Sequence, residues 1–188
     1  MTSRAALWAL AALAVIAPWA HGQALELGQP ARLDIPDVTL VDQDGVPHRV
    51  LSELIRGKVA LVSFVFTGCT TICSPVGATM GALDRLLGPA AAAHISLLSI
   101  TLDPFNDTPS HLADWRRQFD DGPGWRLLTG DPARVHDLLH AMRQDVADLT
   151  QHDAFLWLGD PHTGRWSRVS ALASPEQLAS VVQSLAAP

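Results

Sequence analysis

Apolar and polar positions alternate in blocks along this chain, and the blocks predict its elements. Residues 38–41 and 46–50 flank Asp42, Gln43, Asp44 and Gly45, a hairpin signal of two β-prone runs around an Asp/Gly turn. Residues 58–66 (KVALVSFVF) form a nearly unbroken apolar run rich in β-branched side chains. That composition predicts a strand covered on both faces. Residues 76–87 read as a helix weakened by two glycines, and residues 95–102 as a second buried strand. A helix is predicted over 109–119, with Thr108 as N-cap and Pro109 in the first position. A short strand follows over 125–128, then a helix capped by Asp131 and running to about Arg143. Residues 154–159 and 166–170 flank a second hairpin turn, and Ser174, Pro175 and Glu176 open a last helix. Helices alternating with buried strands, closed by an antiparallel pair, predict an α/β fold. Its expected form is thioredoxin-like, a mixed central β-sheet flanked by helices with an added N-terminal β-hairpin.

One block does not belong to this pattern. Residues 1–24 carry Arg4 as their only charge and an unbroken apolar run over 5–17, ended by Pro18. Small residues follow at Ala20, Gly22 and Ala24. A basic start, a short apolar core and small residues at a cleavage point describe a secretory signal peptide. The run is short of the roughly 20 residues that span a bilayer, so an uncleaved membrane anchor is the alternative. The expected organisation is a leader over 1–24 and a folded domain over 25–188. The domain would work in the periplasm or another extracytoplasmic space, soluble after cleavage or held at the inner membrane.

Composition sharpens this picture. The whole chain is 48% apolar, but without the leader the figure falls to about 45%, an ordinary globular value. The net charge of −6 argues against nucleic acid, whose binding rests on neutralising phosphates. Two cysteines exclude a disulfide-dense scaffold and a four-cysteine zinc site.

The two cysteines are the informative residues. Cys69 and Cys73 fall just past the carboxyl end of the best strand and at the start of the next helix. Active sites of open α/β sheets collect at that edge. A helix N-terminus favours negative charge and lowers a thiol's pKa. Spacing of four would place both side chains on one helical face. A structural disulfide or an inert buried pair are the plainer readings. Closing so short a loop is worth only about 2 kcal/mol, and neither reading explains why both cysteines share a strand-to-helix turn. Redox chemistry and metal binding remain. Two thiolates suit Cu(I), or zinc with further ligands. His152, directly before the strand over 154–159, is the best third ligand. His136 and His140 form an i, i+4 pair on a predicted helix and are the competing histidines.

These residues resemble a known family. Phe66, Thr67, Gly68 and Cys69-Thr-Thr-Ile-Cys73 behind a buried strand resemble the Cys-x-x-x-Cys motif of the Sco/SenC copper proteins. The stretches from Ser99 to Pro109 and from Trp125 to Gly130 resemble two further blocks of that family, and His152 matches the position of its histidine ligand. The resemblance covers about residues 27–186. It implies a thioredoxin-like fold that binds copper, as Cu(I) or Cu(II), through Cys69, Cys73 and His152. It also implies a metallochaperone that delivers copper to the binuclear copper centre of cytochrome c oxidase during assembly. The implied partners are the copper-site subunit, subunit II, and other copper chaperones. Asp153 and Asp103 are candidates for groups just outside the metal ligands, and Asp107 for a turn or site role. One departure is Ser74, which separates Cys73 from Pro75 where the family commonly has proline directly after the cysteine. Ordinary thioredoxins carry a proline in the turn facing the cysteines, and Gln151, His152 and Asp153 offer none. The alternative is an enzyme, a thiol-disulfide oxidoreductase acting through Cys69 and Cys73, although Cys-x-x-Cys is the usual redox signature. Peroxide reduction by a low-pKa cysteine is a remoter third reading.

Overall fold

The computed structural model describes residues 25–119, 122–144, 149 and 154–187. The expected leader, His152 and Asp153 lie outside the described residues. The rest forms one seven-stranded mixed sheet in the order β2-β1-β5-β4-β3-β6-β7. Its centre is parallel: β3 (Val59–Val65) pairs with β4 (Ile95–Thr101), and β4 with β5 (Trp125–Thr129). The expected hairpin is present as β1 (Thr39–Asp42) and β2 (Pro47–Arg49), with β1 antiparallel to β5. On the other side β6 (Phe155–Asp160) runs antiparallel to β3, and β7 (Arg165–Ser170) closes the edge.

Burial follows the sequence pattern. Every residue of β3 and β4 is buried, as their continuous apolar runs require. Edge strand β7 buries little besides Trp166 and Val169. Two buried serines of the central strands are paired in place: Ser63 and Ser99 share a hydroxyl hydrogen bond, and Trp125 Nε1 donates to Ser99 at 2.8 Å, whereas the buried Ser96 hydroxyl of β4 has no partner among the described residues. Such pairing is what buried hydroxyls need to avoid a desolvation cost.

Among the described residues four α-helices cover the sheet: α1 (Cys73–Leu87), α2 (Pro109–Arg116), α3 (Pro132–Ala141) and α4 (Pro175–Ala186). Thr108, Asp131 and Ser174 cap α2, α3 and α4 through their side chains, and Ser174 completes a capping box with Gln177. The glycines that weaken the sequence signal of α1 have a packing reason. A Cβ on Gly77 would meet the Phe119 ring at 2.6 Å and Trp115 at 2.8 Å, so the segment around α2 can approach α1 only because the side chain is missing.

Two boundaries differ from expectation. Helix α1 starts at Cys73, three residues earlier than predicted. Pro75 is tolerated because first-turn N–H groups have no helical partner anyway. The residues after β2 do not continue as strand; Val50–Ile55 form a wide helical turn that buries Val50, Leu54 and Ile55.

Candidate metal centre

Parallel pairing of Val65 with Thr101 brings the ends of β3 and β4 to one edge of the sheet. Antiparallel β6 starts at that same edge, where the Phe64 and Phe155 ring centroids lie 6.0 Å apart. The cysteine turn leaves the sheet here. Cys69 sits in the turn before α1 rather than on the helix, and Cys73 is the first residue of α1. The shared-face expectation is therefore replaced by a closer arrangement, in which the Cys73 backbone N–H donates to Cys69 Sγ at 3.3 Å. Both thiols are free and buried, Cys73 completely and Cys69 to within 9%.

The two thiols are electrically unequal. Burial raises the Cys69 pKa, but hydrogen bonds from the Cys73 thiol, from the Thr71 and Cys73 backbone and from the Thr71 hydroxyl outweigh it and leave the pKa below the ordinary value. Burial pushes Cys73 up to about 12, helped by its hydrogen bond to Cys69 and by the charges of Cys69 and Asp107, against a lowering contact with the Phe66 backbone. Cys69 is thus the less deeply buried, more acidic partner, and its thiolate accepts hydrogen bonds from the groups around it.

Asp107 is the residue whose importance the sequence pattern did not resolve. Its carboxylate is 1% exposed. It accepts from the Thr67 N–H at 3.1 Å, the Thr67 hydroxyl at 2.5 Å and the Thr101 hydroxyl at 2.5 Å. Thr67 stands two residues before Cys69, so this clamp fixes where the cysteine turn leaves β3. The signal available in the sequence was an Asp one residue before the α2 N-cap, with hydroxyl residues at the ends of two neighbouring strands. The Asp103 carboxylate stays within its own turn, accepting from Asn106 Nδ2 at 2.8 Å. His136 and His140 are exposed on α3. Among the described residues no three His, Cys, Asp or Glu side chains gather as a metal site. The donor set among the described residues is the thiol pair, a soft set that suits a monovalent copper ion and leaves room for a further ligand.

Comparison with known proteins settles the kinship. The family model SCO1/SenC matches residues 29–187. The chain belongs to the SCO1/SenC family. A SCO1 protein homolog of Bacillus subtilis (strain 168) is 34% identical over 109 residues, which cover 56% of this chain and 53% of that protein. The matched stretch thus spans about half of that relative's length. ScoI of Bradyrhizobium japonicum, solved with copper bound, is similar with a TM-score of 0.65 and 26% identity, covering 85% of this chain and 99% of that one. BsSco, a member of the Sco family of cytochrome c oxidase assembly proteins, has a TM-score of 0.67 at 24% identity, over 85% of this chain and 96% of that one. The fold of this SCO1/SenC chain is thioredoxin-like, as expected. Among its described residues no helix is long and apolar enough to cross a membrane.

Proposed function

We propose that this SCO1/SenC protein binds one copper ion through Cys69, Cys73 and His152 and passes it to the binuclear copper centre on subunit II of cytochrome c oxidase during assembly. The observation that carries this reading is the free, adjacent thiol pair at the carboxyl edge of β3, with a backbone N–H directed at Cys69 Sγ. The copper-bound ScoI relative and the oxidase assembly role of the Sco family support it. His152 completes the set. Phe155, three residues after it, begins β6 beside Phe64 at the thiol edge, and three residues of chain reach at most about 10 Å. Asp153 orients the site from outside the ligands, whereas the Asp103 carboxylate serves its own turn through Asn106. Copper is cargo here: two thiolates hold Cu(I), the imidazole adds hold on Cu(II), and three ligands leave the ion exchangeable. Residues 1–24 direct the chain out of the cytoplasm, and the folded domain begins at residue 25.

An anaerobic Cu(I) titration of the reduced protein against a chelator tests this. One copper per chain is expected, with strong loss in Cys69→Ser, Cys73→Ser and His152→Ala. Binding that ignores all three substitutions would overturn the reading. The unequal thiols favour one second reading, a thiol-disulfide oxidoreductase in which Cys69 attacks and buried Cys73 resolves. Insulin reduction separates the two, because His152→Ala leaves dithiol chemistry nearly unchanged while weakening copper binding.

A further inference from the structure

Opposite the thiol edge, the other ends of the same strands enclose a cavity. Strand β3 begins there after Lys58, β6 ends there at Asp160 and β7 begins there at Arg165. The length of β3 puts this place about 20 Å from the cysteine turn. A cavity of about 290 Å³ lies between these strand ends, the wide helical turn and residues 33–35. Every residue that lines it is described. Its apolar part is Ile35, Ile55 and Trp166, all buried, with Leu33 and Leu51 half-buried beside them.

Trp166 is held in place and keeps an unused donor. Its backbone N–H donates to the Ala31 carbonyl at 2.8 Å, and its carbonyl accepts from the Ala31 N–H at 2.7 Å. Its ring lies over Gly159 of β6, where a Cβ would come within 2.9 Å of it. A buried indole N–H usually finds an acceptor, as those of Trp125 and Trp157 do in Ser99 and the Met142 carbonyl. The Trp166 indole N–H has none among the described residues, although the residue is only 5% exposed. Arg56 and Lys58 line the same cavity, and neither side chain forms a hydrogen bond or ion pair with a described residue. The acids nearby do not balance them. Asp160 spends its carboxylate on the His162 N–H at 2.8 Å and the Thr163 hydroxyl at 2.7 Å. Asp34 also lines the cavity, exposed, and forms no ion pair with either cation. Among the described residues, three unused donor groups thus surround an apolar hollow that has one unused carboxylate.

We propose that this cavity is a second binding site, for a small carboxylate with a flat apolar body. The carboxylate sits between Arg56 and Lys58, the body lies against Trp166, Ile35 and Ile55, and the indole N–H donates to an oxygen of the ligand. A guanidinium and an ammonium together match the oxygens of a carboxylate. A flat body suits the indole, which takes an aromatic ring in stacked or edge-on contact. A hollow of this size holds a single ring with a short chain rather than a larger ligand. The site is independent of the copper-delivery reading, since it shares no residue with the thiol edge.

The test is heteronuclear NMR of the full chain titrated with phenylpropionate, its neutral amide and phenylpropylamine. The indole N–H signal that disappears in Trp166→Phe is the reporter. The acid is expected to shift that signal saturably with sub-millimolar affinity, the amide to bind about tenfold more weakly, and the amine not to saturate. Arg56→Ala combined with Lys58→Ala weakens the acid about tenfold or more, and Asp34→Asn tightens it about twofold. Leu51→Trp, which fills the hollow, removes binding of the acid and the amide alike. Cu(I) uptake by the Arg56 and Lys58 double variant stays at the wild-type value, so failure of this site and failure of copper binding are separate results. No saturable shift of the Trp166 signal would overturn the proposal. Equal binding of acid, amide and amine would overturn it too, as would full affinity for the acid in the double variant.

Discussion

The hairpin and the thiol edge fasten their loops by different chemistry. At the hairpin, each carboxylate that organises a loop has a basic side chain among its partners. Asp42 accepts from the Asp44 and Val46 N–H groups and meets His48 Nε2 at 2.9 Å, while Asp37 accepts from Ser52, Leu51 and Arg49. At the thiol edge, Asp107 has three hydrogen-bond donations from two threonines and, among the described residues, no basic partner. The difference has a physical logic. A Lys or Arg beside the thiols would repel an incoming copper cation and compete for their thiolates, whereas a hydroxyl clamp fixes geometry without adding positive charge. The buried carboxylate has a further effect on its neighbour, since its charge helps hold Cys73 protonated.

The largest expected effect comes from breaking the neutral clamp. Asp107→Ala leaves the Thr101 hydroxyl and the Thr67 N–H and hydroxyl without their acceptor, a loss of about 3 kcal/mol, because each abandoned donor costs about 1–3 kcal/mol and the exits of β3 and β4 relax only in part. Asp107→Asn keeps one acceptor oxygen and is expected to cost about half as much. Urea unfolding of the reduced protein measures both. A loss under 0.5 kcal/mol in Asp107→Ala would show that the clamp does not fasten the turn.

Next in size is the inequality of the thiols that this clamp positions. Thiolate is the reactive form, so alkylation of each cysteine accelerates as pH rises through its pKa. Cys69 should react with a midpoint below the ordinary 9.0, and Cys73 should stay protected until near pH 12. At pH 8 the expected preference for Cys69 is about 100-fold, the lower nucleophilicity of an acidic thiolate offsetting part of the gap. Mass mapping after a short iodoacetamide pulse reads it. Cys73→Ala should move the Cys69 midpoint upward, because a thiol donor is lost. Equal labelling of both cysteines would refute the inequality.

How much of this was legible follows from the kind of signal each feature leaves. Buried strands write themselves as unbroken apolar runs, so β3 and β4 were readable to within a residue or two. The caps Thr108, Asp131 and Ser174 were readable because a polar residue before proline has a local cause. The thiol pair was readable because its place depends only on where β3 ends. The clamp was not: Asp107 and Thr67 are forty residues apart and meet only because β3 and β4 pair in parallel. The early start of α1 was hidden by Ser74 and Pro75, which look like a turn but occupy a first helical turn. The helical turn Val50–Ile55 was hidden because VLSELI continues the apolar pattern of the hairpin. Gly77 and Gly81 counted against α1 until the segment around Phe119 showed what their missing side chains admit.

On the hairpin side the effects are smaller and depend on pH. Burial raises the Asp42 pKa, but hydrogen bonds from His48, Val46 and Asp44 outweigh it and hold the carboxylate below its ordinary 3.8. A depressed carboxylate pKa contributes stability that is present above the unfolded value and lost as pH falls below it. Asp42→Asn is expected to cost about 1.5 kcal/mol at pH 7, the range for hydrogen bonds to a charged group, and to cost progressively less below pH 4. Thermal unfolding across pH 2–7 follows this. An unchanged penalty down to pH 2 would mean that shape, not charge, holds the turn.

The smallest expected effect is at Arg49, and it sharpens the comparison most directly because it tests charge alone. Arg49 reaches Asp37 at 2.7 Å from the protein surface, where water and salt screen the pair. The Asp37 carboxyl is held down to about 2, mainly by the Ser52 backbone N–H, with the Ser52 hydroxyl and Arg49 adding to it against some desolvation. Its contribution is complete above the ordinary 3.8 and fades as pH falls toward 2. Arg49→Ala should therefore lower the melting temperature at pH 7 by only about one degree, and the difference should vanish in molar salt and at pH 2. Asp107→Ala, measured beside it, should keep its full penalty in molar salt, since its donors carry no charge to screen. If salt erased both penalties alike, the hairpin and the thiol edge would not differ in the way their hydrogen bonds indicate.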